Sequence, residues 1–408
     1  TMIAVFGFLF SNCDDFINVS PSGVIDDEIA YSSPEEMVTA AYAMLGNCWY
    51  SYPFNLWPYG DVSSDDCLKG GSGTTDTGYH PMEIWSTLTA TPGELDELWY
   101  RLYCNISRCN RALISLEQYG NEKLGADTKA IRIGEIKFLR AHNYFKLVTM
   151  FRQVPWIDEQ ILQNGLHEQT RNDEFTYGEL FDKIIQDFQN AYDVLPKEQA
   201  DGGRVHKVAA AAYLAKCYLT LAWGDGYEPT NGLNHINNEY MQKVVDYTDD
   251  VVNSKYNYAA DYGDIFLPEH KNSEESVFAV QCSDYQDDNT KFGRANWSNM
   301  LNGCWGIWSC GWDFHKPSQN LVNAFKTQDG LPMFTDYNKE KNYPINGKVT
   351  GQKWDPRLFH TVGMPTFPYK YETEYTLTKE NSRTPNTYGY YTSLKEVPQR
   401  SKGETYNG

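Results

Sequence analysis

The sequence predicts a mainly α-helical fold: a tetratricopeptide-like helical repeat scaffold over residues 33–254, followed by an irregular region of loops and short strands over residues 255–408. Apolar residues recur at helical spacing in several long segments, and capping motifs precede some of them. After about residue 255 the composition shifts to Gly, Pro, Asn, Asp and aromatic residues, which is typical of loops. The sequence contains no clean fixed-period repeat, so the scaffold is predicted from helix pairing alone.

Capping signals mark where several helices begin. The segment "SPEE" places Ser33 at an N-cap, and the segment "TPGE" places Thr91 at a second N-cap in the same way. A third capping box, "TYGE", begins at Thr176, and Pro196 ends the helix that follows it. In such a box a Ser or Thr oxygen accepts a hydrogen bond from a first-turn backbone N–H that would otherwise lack a partner. The boxes therefore predict three separate helices.

Apolar stripes give the approximate extents of the helices. They predict helices over residues 33–45, 95–113, 127–150, 176–195, 207–222 and 241–252, and one short helix over residues 318–326. The fifth of these is rich in alanine, whose small side chain lets a neighbouring helix approach closely. Cys104 and Cys109 lie five positions apart on the second helix and on different faces, so no bond between them is expected.

A short apolar run, residues 2–10, ends just before Cys13 and two aspartates. A helix that crosses a bilayer needs roughly 20 residues, whereas this run has the length of the apolar core of a secretory signal. The sequence therefore predicts a partial signal peptide over residues 1–12. The alternative is a buried N-terminal strand that happens to be followed by a cysteine. The polar end, "SKGETYNG", predicts that the chain is truncated at its C-terminus.

Composition excludes several classes of function. The formal net charge of −19 repels phosphate backbones, so nucleic-acid binding is not expected. The histidines are isolated and no Walker, Rossmann or GxSxG motif occurs, so no metal, cofactor or catalytic residue is predicted. The loop "DYQDDN", which begins at Asp284, lacks the full EF-hand pattern and is favoured as a polar loop. No disulfide framework is predicted, although Cys304 and Cys310 flank one loop and could pair.

The loop "LNGCWGIWSCGWDF" carries the strongest functional signal. Trp305, Trp308 and Trp312 lie within eight residues and are separated by glycines. Glycine lets a loop bend and present rings, and indole offers a flat apolar face with a polar handle. The C–H faces of sugar rings stack on such surfaces. The alternative is that these tryptophans wedge the loop into the helical scaffold.

Five blocks, in order along nearly the whole chain, resemble the SusD/RagB family of Bacteroidetes nutrient-binding lipoproteins. The blocks are "FSNCDD", "EIKFLRAHNYFKLVTMFRQVPWI", "GGRVHKVAAAAYLAKCYLTLA", "KPSQNLVNAFKTQDGLPM" and "KWDPRLFHTV". The segment "FRQVPW" departs from the family's usual Tyr-Gly-Asp-Val-Pro pattern. The family also continues with a further helical section, which agrees with the predicted truncation.

The resemblance implies a surface lipoprotein without enzymatic activity. Cys13 is then the acylated residue of a lipidated segment over residues 13–32, and Asp14 and Asp15 form the signal for export to the outer face of the outer membrane. Acyl chains anchor a protein without a spanning helix. Family members form a lid over a SusC-like TonB-dependent barrel transporter, capture oligosaccharides or, in some members, peptides, and deliver them to it. The implied fold agrees with the predicted scaffold.

The resemblance also places the binding site, by region. The predicted ligand-binding residues come from the stretch before the long helix and from the later loops: Asp65, Asp66, Trp85, Tyr285, Trp305, Trp308 and Trp312. Two alternatives remain open at this point. A peptide-binding member of the same family would use the same aromatic side chains, and a surface glycoside hydrolase would need a carboxylate pair roughly 5–10 Å apart.

Overall fold

The computed structural model describes residues 30–46, 57–86, 93–224, 227–228, 232–233, 235–281, 301–306, 311–339, 353–395, 397, 399 and 401. Its helices are α1 (Pro34–Ala43), α2 (His80–Glu83), α3 (Gly93–Leu124), α4 (Ala126–Phe151), α5 (Glu159–Gln163), α6 (Tyr177–Val194), α7 (Lys207–Gly224), α8 (Asn238–Val252), α9 (Gln319–Ala324), α10 (Leu358–Thr361) and α11 (Pro385–Tyr388). Among these described helices, none has the length and apolar character that crossing a membrane requires.

The long helices form a stack in which each packs on the next. Helix α3 lies between α1 and α4, and α4, α6, α7 and α8 follow in that order. Gly125 alone connects α3 to α4, so the chain reverses there. The predicted apolar stripe of α3 is buried, with Leu98 at 2% exposure and Leu102 at 0%. The stack confirms the predicted mainly α-helical, tetratricopeptide-like scaffold.

Aromatic rings fill the space between α4, α6 and α7. The ring of Phe138 meets Phe188 edge-on, with 5.2 Å between the ring centroids, and Phe188 stacks on Tyr213 at 5.0 Å. All three lie in the main apolar cluster or directly against it. Burial of a Phe side chain contributes about 1.5–3 kcal/mol, so this cluster accounts for much of the scaffold's stability.

The capping predictions have different outcomes. The box at Thr176 is formed, because the Thr176 side chain accepts a hydrogen bond from the Glu179 N–H and the Glu179 side chain accepts one from the Thr176 N–H. Ser33 precedes α1 as predicted, but its side chain accepts no hydrogen bond from that helix. Its backbone torsions, φ −116° and ψ 69°, differ from the extended cap at Thr176. Thr91 lies outside the described residues.

A buried ion-pair network connects three parts of the scaffold. Arg140 on α4 donates to both carboxylate oxygens of Asp187 on α6, at 2.7 and 3.0 Å, and also to Glu159 on α5. It also donates to the side-chain amide oxygen of Asn110 at 3.0 Å. Arg140 and Asp187 are 5% and 6% exposed. Burial alone would lower the pKa of Arg140, but the two carboxylates outweigh it and raise that pKa, so the guanidinium stays charged.

The described strands form small two- and three-stranded sheets, and eight of the eleven strands lie after residue 255. The strands are β1 (Cys67–Gly70), β2 (Tyr227–Glu228), β3 (Gly232–Leu233), β4 (Phe314–Pro317), β5 (Lys326–Gln328), β6 (Leu331–Pro332), β7 (Lys353–Trp354), β8 (Val362–Gly363), β9 (Pro368–Tyr369), β10 (Glu372–Thr376) and β11 (Thr392–Ser393). The described sheets pair β1 with β4, β2 with β3, β9 with β10 and β8 with β11, and β5 with both β6 and β7. This agrees with the predicted region of loops and short strands.

One strand pair joins distant parts of the sequence. β1 and β4 are antiparallel, with Cys67 opposite Pro317 and Gly70 opposite Phe314. Around this pair, which we call the β1–β4 ribbon, a separate apolar cluster includes Trp57, Tyr79 and Met82 from the early segment together with Leu301 and Phe314 from the late one. Residues 57–86 therefore interrupt the helical scaffold and pack on the later region, which the predicted division at residue 254 did not include.

Among the described cysteines, Cys104, Cys109 and Cys217 are free thiols. Cys104 and Cys109 are not bonded to each other, as predicted, and Cys109 is buried. Cys304 is also buried. Cys310, its predicted possible partner, lies outside the described residues.

Candidate functional site

The β1–β4 ribbon brings the two regions of predicted binding residues to one part of the molecule. The stretch after Ser63 leads into β1, and the stretch before Phe314 leads into β4. Because the strands are antiparallel, the segment before β1 meets the segment after β4, and the segment after β1 meets the segment before β4. Those predicted residues that the structure describes consequently divide between the two ends of the ribbon.

Asp65, Asp66 and Trp85 lie at the first end. The Asp65 carbonyl oxygen accepts a hydrogen bond from the Ser318 hydroxyl at 2.5 Å, and the Asp66 carbonyl oxygen accepts one from the Ser318 N–H at 3.0 Å. These bonds fix the start of α9. Trp85 is 71% exposed, and its indole N–H donates to the Ser63 carbonyl oxygen at 3.2 Å. The two carboxylates and the indole therefore face solvent from a backbone that is held in place.

Trp305 and Trp312 lie together at the second end. Their ring centroids are 6.0 Å apart, with a tilt of 51° between the ring planes. Arg383, from the segment before α11, contacts both rings: its guanidinium carbon is 4.6 Å from the Trp305 ring centre and 5.0 Å from that of Trp312. Trp312 is 48% exposed. We call Trp305, Trp312 and Arg383 the tryptophan face.

Backbone hydrogen bonds hold the tryptophan face. The Trp312 N–H donates to Leu301 at 3.2 Å, and the Trp305 N–H donates to Asn381 at 3.0 Å. The Asn381 side chain returns a bond to the Trp305 carbonyl oxygen at 3.2 Å. Gly311 allows the chain to pass close by, because a Cβ at that position would lie 1.9 Å from the Asn302 carbonyl oxygen. The backbone that presents each ring is thus hydrogen-bonded to neighbouring segments.

A buried ion pair lies directly behind the face. Lys316 and Asp313 have fully buried side chains, and the ammonium donates to the carboxylate at 2.7 Å. The same carboxylate oxygen accepts the Arg383 backbone N–H at 2.7 Å. Burial raises the pKa of Asp313 and lowers that of Lys316, in each case against the attraction of the partner. Asp313 has a positive φ of 63°, a strained backbone of the kind that occurs often at binding sites.

Two of the predicted residues, Tyr285 and Trp308, lie outside the described residues, as does the acidic loop that begins at Asp284. Within the described ranges, no group of three or more His, Cys, Asp or Glu side chains is arranged to hold a metal ion.

Sequence reasoning missed two contributors to this region. Arg383 follows the tryptophan loop by some 70 residues, and the segment "NSRTPN" carries no motif that would mark it. His315 stacks on Trp57, with 4.8 Å between the ring centroids, and its Nε2 lies 2.9 Å from the Asp61 carboxylate. Its positive φ of 54° bends β4. Each of the two residues contacts side chains far from it in the sequence, so no local pattern marks either one.

Clefts also occur on the scaffold, away from the ribbon. One of about 250 Å³ lies between Tyr42 and Arg204, and one of about 330 Å³ lies beside His206 and Tyr256. Their polar groups are already paired: Arg204 contacts Glu35 at 2.5 Å and Glu135 at 2.9 Å, and His206 Nε2 lies 2.8 Å from the Tyr256 hydroxyl. The tryptophan face, with the exposed ring of Trp312 and a guanidinium that no described residue pairs, is the better candidate for binding a ligand.

Two family models match the chain over separate ranges. A model described as "Starch-binding associating with outer membrane" matches residues 35–219, and the model of the SusD family matches residues 274–408. The first range covers most of the helical scaffold, up to helix α7, and the second includes the tryptophan face. Together they cover both parts of the fold.

Named relatives agree with these models. A SusD-like protein of Bacteroides ovatus is 25% identical over 338 residues, which is 81% of this chain and 58% of that protein. A SusD-like protein of Formosa agariphila is 23% identical over 68% of this chain and 51% of its own length. The chain therefore spans somewhat more than half the length of these two relatives.

Solved structures share the fold. A laminarin-binding SusD-like protein superposes with a TM-score of 0.65 at 19% identity, covering 91% of this chain and 73% of that one. A surface glycan-binding protein of Bacteroides fluxus gives a TM-score of 0.59 at 19% identity, covering 79% and 65%. From the two family models, the named relatives and the shared fold, we conclude that the chain belongs to the SusD/RagB family.

Proposed function

We propose that this protein is a cell-surface glycan-binding lipoprotein. It captures oligosaccharides on the tryptophan face and delivers them to a partner SusC-like TonB-dependent barrel transporter. The observation that carries the proposal is Trp312, which is 48% exposed although backbone hydrogen bonds hold it beside a second indole. A rigid, solvent-facing indole is suited to stacking on the C–H face of a sugar ring, because little conformational entropy is lost on binding.

Two solved structures with the same fold support the ligand class by their descriptions, one as laminarin-binding and one as containing a xylogluco-oligosaccharide. The exposed carboxylates Asp65 and Asp66, with Trp85, are proposed to contact further parts of a longer glycan. Each strand of the ribbon has four residues, so at roughly 3.3 Å per residue its two ends are about 13 Å apart. Tyr285 and Trp308 are proposed to add rings to the same surface.

Replacing Trp312 by alanine is expected to weaken glycan binding by about 1–3 kcal/mol, or roughly one to two decades in Kd, while the melting temperature stays nearly unchanged. The reason is that the alanine variant no longer shields the sugar face from water. Burial of apolar surface contributes about 25 cal/mol per Å² to the binding free energy. The measurement is isothermal titration calorimetry with the tightest ligand from a panel of neutral and acidic oligosaccharides and short peptides. The same experiment on Trp308→Ala tests the neighbouring ring.

Trp156→Ala is the matched control. Trp156 is 4% exposed and stacks on Tyr144 at 4.1 Å, so its loss is expected to cost about 3–5 kcal/mol of stability and to leave the affinity of the folded protein intact. If Trp312→Ala binds the best oligosaccharide as tightly as the parent protein, the tryptophan face is not the site. A panel in which only peptides bind would favour the peptide-binding alternative, and cleavage of an oligosaccharide during incubation would favour the hydrolase.

The proposed attachment to the outer membrane depends on Cys13. A family model matched by this chain is described as associating with the outer membrane, and acyl chains contribute about 0.8 kcal/mol per buried CH₂. Cys13→Ala is therefore expected to abolish palmitate labelling and to release the protein from the membrane fraction of its host. Persistent labelling and membrane attachment of the variant would contradict acylation at Cys13. Cys104→Ala, on helix α3, is the control and should label normally.

A further inference from the structure

Arg383 occupies an unusual position for a structural arginine. It contacts the rings of Trp305 and Trp312 at 4.6 and 5.0 Å, and Trp312 is itself about half exposed. A guanidinium that stacks on aromatic rings uses its flat faces, so its N–H groups still point outward in the plane. Among the described residues, no carboxylate, carbonyl or hydroxyl accepts a hydrogen bond from this guanidinium, although the Arg383 backbone N–H is bonded to Asp313.

The neighbouring charges do not neutralise Arg383. Lys316 is paired with Asp313, and Lys69 is paired with Asp76, so each of these buried pairs is neutral as a unit. Glu380, the nearest carboxylate along the chain on the N-terminal side, is fully exposed and hydrogen bonds to Thr378, which lowers its pKa. Arg383 therefore brings to the tryptophan face a positive charge that no described carboxylate pairs, on a chain whose formal net charge is −19.

The backbone around Arg383 is held from both sides. The Asp313 carboxylate accepts the Arg383 N–H at 2.7 Å, and the hydroxyl of Thr384 donates to the Gly71 carbonyl oxygen at 2.7 Å. The first bond ties the segment to the start of β4, and the second ties it to the end of β1. The guanidinium is thus positioned in advance, which reduces the entropy lost when it binds an anion.

We propose that the tryptophan face selects oligosaccharides that carry an anionic group, a carboxylate or a sulfate. This inference rests on the proposed glycan-binding function and specifies the substrate class. A sugar ring stacks on Trp312 while the anionic substituent of that ring or its neighbour accepts paired N–H bonds from Arg383. Arginine matches the planar fork of a carboxylate or sulfate, and such charge-assisted bonds are about twice as strong as neutral ones.

The test compares matched ligands and matched variants by calorimetry. The ligands are tetragalacturonate with its carboxyl-reduced counterpart, and a sulfated galactan tetrasaccharide with its desulfated counterpart. The variants are Arg383→Gln and Lys379→Gln; both remove one positive charge, but Lys379 lies beside Tyr390 and outside the tryptophan face. We expect an acidic ligand to bind the parent protein at least about tenfold more tightly than its neutral counterpart, and Arg383→Gln to lose most of that preference.

The possible results of the calorimetry distinguish anion selection from the underlying glycan binding. A preference for the acidic member of the uronate pair, or of the sulfated pair, identifies the anionic group that the protein recognises. The Lys379→Gln variant should retain that preference. If neutral and acidic members of both pairs bind equally, anion selection is wrong while glycan binding stands, provided that Trp312→Ala weakens all four. If no oligosaccharide binds, the proposed function itself fails. An acidic peptide that binds more tightly than every oligosaccharide overturns the sugar assignment. If Arg383→Gln fails to fold, the comparison of neutral and acidic ligands on the parent protein still decides.

Discussion

Replacing Leu98 by aspartate is expected to lower the free energy of unfolding by more than about 5 kcal/mol. Leu98 is 2% exposed and belongs to the main apolar cluster where α3 packs in the helical stack. Losing a buried leucine costs about 2–5 kcal/mol, and the carboxylate adds the cost of desolvating a charge that has no partner there. The measurement is a denaturant titration followed by far-ultraviolet circular dichroism.

Tyr100→Asp provides the control within the same helix. Tyr100 is 55% exposed on α3, so its replacement introduces the same charge without removing a buried side chain. We expect a far smaller change in the midpoint of the titration. Equal losses in the two variants would contradict the assignment of Leu98 to the packed stripe and indicate that any negative charge added to α3 destabilises it.

Arg140→Ala is expected to cost about 3–5 kcal/mol. The variant leaves the Asp187 carboxylate, 6% exposed, without the guanidinium that bonds both of its oxygens. Breaking a buried pair from one side costs far more than the pair contributes, because an uncompensated charge remains. The loss should appear in thermal melting, and the double variant Arg140→Leu with Asp187→Leu should recover part of it.

The pH dependence of stability distinguishes a broken ion pair in Arg140→Ala from a simple loss of packing. Burial raises the pKa of Glu159, but Arg140 outweighs it, so that pKa lies below the ordinary value of 4.5. A depressed carboxylate pKa contributes stability above pH 4.5 that is lost as the pH falls through the folded pKa. Arg140→Ala should therefore lose this part of the acid dependence. Arg171→Ala, which removes an exposed pair with Asp173, should melt and titrate like the parent protein.

The helices could be predicted because their signals are local. The stripe of α3, the alanine-rich α7 and the box at Thr176 each need only residues within one or two turns. The structure agrees within a few positions for α6 and α7, whereas α3 continues eleven residues beyond its predicted end at residue 113. Ser33 shows the limit of such reasoning. A suitable residue stands at the right position, yet its side chain makes no cap bond, because the final torsions depend on the packing of α1 rather than on the motif.

The candidate site could be predicted only by region. Trp305 and Trp312 are conspicuous because rings alternate with glycines, but nothing in the sequence pairs residues 67–70 with residues 314–317. That pairing, and the return of the chain at Asn381, bring Arg383 onto the indoles. Tertiary contacts between segments this distant leave no periodic signal in a single sequence. The anionic ligand class therefore follows only from the folded arrangement.

The β1–β4 ribbon has a consequence for the order of folding. Closing a chain of about 245 residues between Gly70 and Phe314 costs roughly 5 kcal/mol in loop entropy, and the ribbon itself contributes only a few backbone hydrogen bonds. Contacts of such high sequence separation form late, after the helical hairpins have brought the two strands near each other. We therefore expect the tryptophan face to assemble late on folding, and a break in the intervening helices to disrupt it without removing any of its own residues.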